Sequence, residues 1–232
     1  SEFKKLAKNG ITPPEQHNGH QDGYGILLWV SKTNNWIELD RSIKSAYNAT
    51  INFNFPNDNA FKIVLFHMRL ASPFIGNVCL ENTHPFTRSD SKWIFMHNGG
   101  IRDWKKFPPS SFTSISNGSD SETMYRYILD QIRNNNESSI KDIVFRSYKY
   151  IKNNFDYTSL TSVLSNGKDS FIFRNFTSNG NYYTFYMLQN ENFVVIASEP
   201  IEIFGDNRKW ELIPNNTMFH LNNTIHLEKI HL

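Results

Sequence analysis

Three side chains and one backbone position sit where short apolar runs stop, and their types could handle an amino-acid-like substrate. The run FKIVLFHMRLAS ends in His67 and Arg69, and the run WIFMHNGG ends in Asn98 and Gly99. Between them NTHPF carries Thr83 and His84, held by Pro85. A guanidinium offers a planar fork to a carboxylate. A side-chain amide beside a backbone N–H can hold an oxyanion developing on a carbonyl. Asp120, in SDSE, could receive an ammonium group and is equally well placed to cap a helix. Each residue also has an ordinary reading: Arg69 as an ion pair, Asn98-Gly99 as a turn, and Asp22 in HQDGYG as a turn cap. Their concentration at the ends of two buried strands favours a preorganised polar site.

The elements that must position these groups follow from the pattern. YGILLWV at 24–30 and the runs at 61–68 and 93–97 have strand length and composition. WIELD pairs back on the first of these as a hairpin. Gly23 and Gly25 around Tyr24 imply close backbone approach. Phe3, Leu6 and Ala7 give a short helix over 1–9, with a brief helix at 42–49 and one turn at 103–107, stopped by Pro108 and Pro109. Helices are predicted near 120–133, capped by Ser119 or Asp120, and 139–152. DSFIFRNF, NYYTFYMLQ, NFVVIAS and a pair around 217–221 and 224–229 read as further strands. Ser198 and Glu199 end one of them and are placed to brace the site. The order of strands, then helices, then strands favours antiparallel sheets with helices outside, an α+β arrangement.

Composition sets the outer limits. The chain has 232 residues, enough for one large core, and 15% aromatics with 19 Phe and 10 Tyr to build it. Lys plus Arg total 24 against 22 Asp plus Glu, so bulk charge does not call for nucleic acid. The single Cys79 excludes an intrachain disulfide framework and suits a reducing, cytoplasmic setting; it reads as a small core hydrophobe. No run approaches the roughly 20 apolar residues of a membrane span. His17, His20, His67, His84 and His97 lack the i, i+4 helical spacing of hydrolase zinc sites, so the signal for metal ligation is weak. His67 and His97, on strand runs, read as satisfied core histidines.

Taken in order, HQDGYGILLW, RLAS, NTHPF, FMHNGGI, SDSE and VIASEP resemble the class II glutamine amidotransferases, N-terminal-nucleophile hydrolases, and more narrowly their stand-alone, single-domain branch. The resemblance runs from about residue 20 to 200. It implies a four-layer αββα sandwich of two antiparallel sheets with helices on the outer faces, and cofactor-free hydrolysis of the γ-amide of glutamine or a small γ-glutamyl compound. Carried over residue by residue, Arg69 grips the substrate α-carboxylate and Asp120 receives the α-ammonium. Asn98 and Gly99 form the oxyanion hole, Thr83 and His84 wall the pocket, and Asp22 to Gly25 lie near the nucleophile.

The family nucleophile is a cysteine at the mature N-terminus, with its own α-amine as base. This chain opens with Ser1 and a helix. The preferred explanation is one domain over 1–232 lacking its native N-terminal strand, where the cysteine would lie. Ser1 as nucleophile, and a catalytically silent amino-acid-binding or regulatory module, remain the alternatives. The expected partner is a small molecule, not nucleic acid or a membrane. Ammonia is either released or passed to a separate subunit, and a homo-oligomer stays open.

Overall fold

The computed structural model describes residues 2–13, 16, 19–50, 61–71, 78–115, 118–135, 137–201, 210–223 and 226–231. Ser1, His17 and the loop at 52–59 lie outside them. Helix α1 (Glu2–Asn9) precedes β1 (Tyr24–Val30), which pairs antiparallel with β2 (Asn35–Ser42) on one side and β3 (Phe61–Met68) on the other. A second, six-stranded sheet contains β4 (Phe86–Arg88), β5 (Ser91–Ile101), β6 (Tyr157–Ser165), β7 (Asp169–Arg174), β11 (Thr217–Asn222) and β12 (Leu227–His231). Its order is β12-β11-β7-β6-β5-β4. A small sheet of β8 (Tyr186–Gln189), β9 (Val194–Ala197) and β10 (Glu211–Leu212) completes the strands.

The side chains explain the layering. β1 is buried along its whole length, as a continuous apolar run predicts for a strand covered on both faces. Leu27 enters a cluster with Leu65, Ile94, Val163, Ile172 and Phe219, so β1 and β3 face the six-stranded sheet. Met187 and Ile196 pack on the same cluster, which puts the β8–β9 sheet in the same inner layer. The outer face of β1 is closed by Ala7 of α1 and by Ala46, packed with Tyr24 and Ile26. On the far side Trp93, Phe95, Leu164 and Phe171 meet Met124, Tyr125 and Ile128 of α2 (Asp120–Asn134) and Val144 and Tyr148 of α3 (Ile140–Asn154). The result is an α+β sandwich of antiparallel layers with helices outside.

Three details differ from the sequence reading. β6 was not foreseen, although it lies between β5 and β7 in the six-stranded sheet. The predicted helix at 42–49 is a single 3-10 turn, Ala46–Asn48, after Ser45 caps Tyr47 N. Of NYYTFYMLQ only Tyr186–Gln189 is strand, because Tyr182 and Tyr183 close a turn back onto the Asn179 carbonyl.

Candidate functional site

Two chain crossings bring the predicted residues to one end of the sandwich. Arg69 follows the last residue of β3, opposite the start of β1 where Tyr24 pairs with Met68. Its N–H donates to Gly23 O at 2.8 Å and its carbonyl accepts from Asp22 N at 3.0 Å. Asp22 Oδ2 accepts from Ala71 N at 2.8 Å, so Asp22 latches the backbone around Arg69. That is the turn-capping role its position allowed. Gly23 has φ +126°, and a Cβ there would lie 2.6 Å from Ser42 O. At Gly25 a Cβ would come 2.4 Å from His84 O. The close approach expected of this pair thus seats the 83–85 segment against β1.

That segment is held from the other side by Arg41 of β2, whose guanidinium donates to the Thr83 and Pro85 carbonyls (2.8 Å to the latter) and pairs with Glu38 at 2.7 Å. The His84–Pro85 peptide is cis. Thr83 is fully buried and its hydroxyl donates to Cys79 O at 2.9 Å, so its side chain is committed to the protein. His84 is buried edge-on against His67 and Phe86, with His84 Nδ1 3.2 Å from His67 Nε2.

On the opposite sheet, His97 anchors the stretch of β5 that carries Asn98 and Gly99, which pair with Thr161 and Leu160 of β6. Its Nε2–H donates to Ser159 O on β6 at 2.9 Å, leaving Nδ1 to accept from Ser121 Oγ of α2 at 2.8 Å. Gly99 lies so close to β6 that a Cβ would meet Ser159 O at 2.0 Å. Asn98 alternates with His97 and therefore faces the inner layer, as Ile94 and Met96 do. Among the described residues its half-buried amide makes no hydrogen bond. Asp120 opens α2, but Ser119 is the cap, its hydroxyl accepting from Glu122 N at 3.1 Å. Asp120 Oδ2 instead accepts from Ile101 N at 2.8 Å, while Oδ1 has only Ser121 Oγ at 3.5 Å.

The site is therefore histidine-rich, with Arg69 as its buried cation. Burial pulls Arg69 below its usual value, against the pull of Cys79 and Asp22, yet an arginine keeps its charge. Burial also drives His67 down to about 3, helped by His20, Arg69 and His97. His84 is held well below the usual value by burial and then by His67, His97 and two arginines, Arg69 and Arg41. His97 is lowered by burial, with Asp120 opposing. These electrostatic contacts link Arg69, His67, His84, His97 and Asp120 into one neighbourhood; Thr83 adjoins it, and Asn98 and Gly99 continue from His97. Among the described residues no group of three or more His, Cys, Asp or Glu side chains could hold a metal ion.

Sequence reasoning missed the pairing of His67 with His84, since residues 17 apart on different elements leave no local signal. It also missed Glu122, whose buried carboxylate accepts from Ser114 Oγ at 2.9 Å and pairs with Arg126 at 2.9 Å, fixing the 114–115 backbone beside α2. Glu199 Oε1 accepts from Ile11 N at 2.9 Å, tying the exit of α1 to the segment after the strand end at 197. A cleft of about 520 Å³ lies apart from this site, between the β1–β2 and β4–β5 hairpins, lined by Trp36, Glu38, Arg88, Asp90 and Lys92.

Residues 5–188 match the class-II glutamine amidotransferase family. Over 115 residues, 49% of this chain and 43% of the relative, the sequence is 29% identical to the Escherichia coli (strain K12) protein named "Putative glutamine amidotransferase YafJ". A Haemophilus influenzae protein named "Putative glutamine amidotransferase" is 27% identical over 158 residues, 64% of this chain and 50% of its own. The chain spans about half the length or less of these curated relatives. Among solved structures, a glutamine aminotransferase class-II domain protein from Silicibacter pomeroyi superposes with a TM-score of 0.61 at 15% identity. It covers 90% of this chain and 91% of its own, a likeness of fold.

Proposed function

Because the chain belongs to the class-II glutamine amidotransferases, we propose that its site binds glutamine or a small γ-glutamyl compound and hydrolyses the γ-amide. The observation that carries this reading is the Asn98 amide. Among the described residues it is a polar side chain of β5 with no hydrogen-bond partner, while His97, Ser121 and Thr83 are committed to the protein. A donor held open on a rigid strand end is what a developing oxyanion needs. In this reading Arg69 takes the α-carboxylate and Asp120, through Oδ1, takes part of the α-ammonium. Asn98 and Gly99 N–H receive the carbonyl oxygen, with Thr83 and His84 as wall. Fixing both ends of the amino acid aims its amide at the attacking group.

The attacking group is a cysteine thiolate at the mature N-terminus, carried by a segment ahead of Ser1 in a single amidotransferase domain. Its sulfur bonds to the amide carbon, the carbon–nitrogen bond breaks, and ammonia leaves with a proton returned by the α-amine. Water then cleaves the thioester to give the acid and the free thiol. Among the described residues β3 is an edge strand of its sheet, so an added inner strand would have an edge to pair with. Released ammonia either diffuses away or passes to a separate acceptor subunit.

Ammonia release from L-glutamine and γ-glutamyl amides by the full-length protein, with mass-spectrometric definition of its first residue, tests the reading. A mature N-terminal cysteine with turnover supports it. Binding of a glutamine analogue with no turnover of any γ-glutamyl amide makes the protein a binding module instead.

A further inference from the structure

The first turn of α2 is tied to β5 at two points that bracket Asn98 and Gly99. Asp120 Oδ2 accepts from Ile101 N at 2.8 Å, and Ser121 Oγ lies 2.8 Å from His97 Nδ1. Asp120, Ser121 and His97 are each more than nine-tenths buried. Among the described residues Asp120 has no cationic partner, and Oδ1 has only Ser121 Oγ at 3.5 Å. That contact is too long for an O–H···O bond of normal geometry. A buried carboxylate oxygen in this state is open to a donor from outside the protein.

The Ser121 hydroxyl has one proton and two acceptors in its neighbourhood, His97 Nδ1 at 2.8 Å and Asp120 Oδ1 at 3.5 Å. The far side of the imidazole decides between them. His97 Nε2 lies 2.9 Å from the Ser159 carbonyl oxygen, which can only accept, so Nε2 carries a proton. Burial keeps the ring neutral, and Nδ1 is therefore bare. A bare nitrogen at 2.8 Å takes the hydroxyl proton. Asp120 Oδ1 then keeps its lone pairs.

Resting on the amidohydrolase reading above, we propose that His97 is a positioning residue for the α-ammonium site. Its Nδ1 draws the Ser121 hydroxyl away and so leaves Asp120 Oδ1 free to accept from the substrate amine. Without that nitrogen, only Asp120 Oδ1 remains of the two acceptors, and the hydroxyl becomes a competitor for the oxygen. The bond from the same ring to Ser159 O holds β5 against β6. The ammonium receptor and the Asn98–Gly99 pair are thus built on one scaffold. The chain from Ser159 through His97 to Ser121 sets a preference for α-amino acids over the corresponding deaminated acids.

The test titrates the full-length protein calorimetrically with L-glutamate and with glutarate, the hydrolysis product with and without its amine. The wild type is expected to prefer L-glutamate. His97→Gln keeps an amide donor for Ser159 O and removes the acceptor at Nδ1. It should weaken L-glutamate about tenfold and leave glutarate unchanged. Adding Ser121→Ala removes the competing hydroxyl and should restore L-glutamate affinity, a recovery that a loosened fold would not give. Ser121→Ala alone should not weaken L-glutamate, because the hydroxyl is a competitor and not a ligand. A 15N histidine spectrum of the wild type, which needs no variant, should show His97 protonated at Nε2 and bare at Nδ1. A protonated Nδ1, equal loss of both ligands in His97→Gln, no recovery in the double variant, or a tenfold loss in Ser121→Ala overturns the proposal. A wild type that neither binds L-glutamate nor releases ammonia from L-glutamine removes the amidohydrolase reading and the ligand half of the proposal with it, and the spectrum still decides the tautomer.

Discussion

Arg69 and Asn98 stand at the ends of strands in different layers and are asked for different work. Arg69 is buried, with its backbone latched at both its N–H and its carbonyl by Asp22 and Gly23, so its fork starts from a fixed base. Arg69→Ala should weaken binding of a non-reactive glutamine analogue by about 1.5–3 kcal/mol, the worth of a hydrogen bond to a charged group. In the proposed reaction Asn98→Ala removes a donor needed only once the carbonyl oxygen becomes negative. It should lower kcat by the equivalent of about 2.7–4 kcal/mol with little change in KM. Calorimetry with the analogue and steady-state ammonia release measure the two effects. Loss of analogue binding in Asn98→Ala with normal saturated turnover would sink the oxyanion role. These residues were legible because strand-end arginine and Asn-Gly are local signals. The commitments of Thr83 to Cys79 O and of Asp120 to Ile101 N were not, because both depend on a chain fold that brings distant backbone atoms to them.

At the scale of the elements, the junction of β5 and β6 sets the geometry of the site. The run YTSLTSVLS mixes small hydroxyls with few large apolar groups, so neither a period nor a bulky core signal marks it as a strand. Its hydroxyls are nonetheless satisfied inside: Ser162 Oγ meets Tyr148 OH at 2.8 Å, and Ser159 Oγ donates to Asn175 O at 3.0 Å. That self-sufficiency let a polar sequence form a buried strand that composition alone did not reveal. Gly99→Ala should be severe there, since its Cβ would press on Ser159 O and come 2.7 Å from His97 Nε2, both parts of the backbone clamp. Relief requires β5 and β6 to part, at about 1–3 kcal/mol or more. The unfolding temperature should drop and ammonia release from L-glutamine should be lost. A Gly99→Ala protein of unchanged melting temperature would show the junction to be looser than described. On α2, Glu122→Gln keeps the shape but leaves Arg126 uncompensated. The cost should be about 3 kcal/mol, the low end for a broken buried pair, because Arg126 keeps some solvent contact. Urea unfolding reads it directly, and a change below about 0.5 kcal/mol would mean the loop at 114–115 holds without the charge.

For the whole molecule, the two-layer interior carries a consequence in pH. Closing a sheet sandwich over the site encloses His84 and His97, with His67 half-buried beside them, as neutral rings, and all three are held below the ordinary value of 6.5. In the unfolded chain each takes up a proton near that value. Below it the unfolded state binds more protons than the folded one, so stability rises with pH up to about 6.5 and is level above. For His67, protonated in the fold only near 3, the slope is about 1.4 kcal/mol per pH unit across the interval. The integrated loss by pH 3 is at most roughly 4–5 kcal/mol, a large share of the 5–15 kcal/mol that holds a typical domain. His84 and His97 act in the same direction. Acid unfolding should therefore begin between pH 6 and 5, above the range where most carboxylates titrate. His67→Phe should remove one proton from the transition and flatten stability against pH by about 1.4 kcal/mol per unit between pH 6 and 4.5. Its stability at pH 7.5 should fall independently, through lost packing against His84. Urea denaturation at pH 7.5, 6 and 5 on both proteins separates the two effects. A wild type equally stable at pH 7.5 and 5, or a variant with the same pH slope, would mean that these histidines are reached by protons in the folded state and that the layer over them opens.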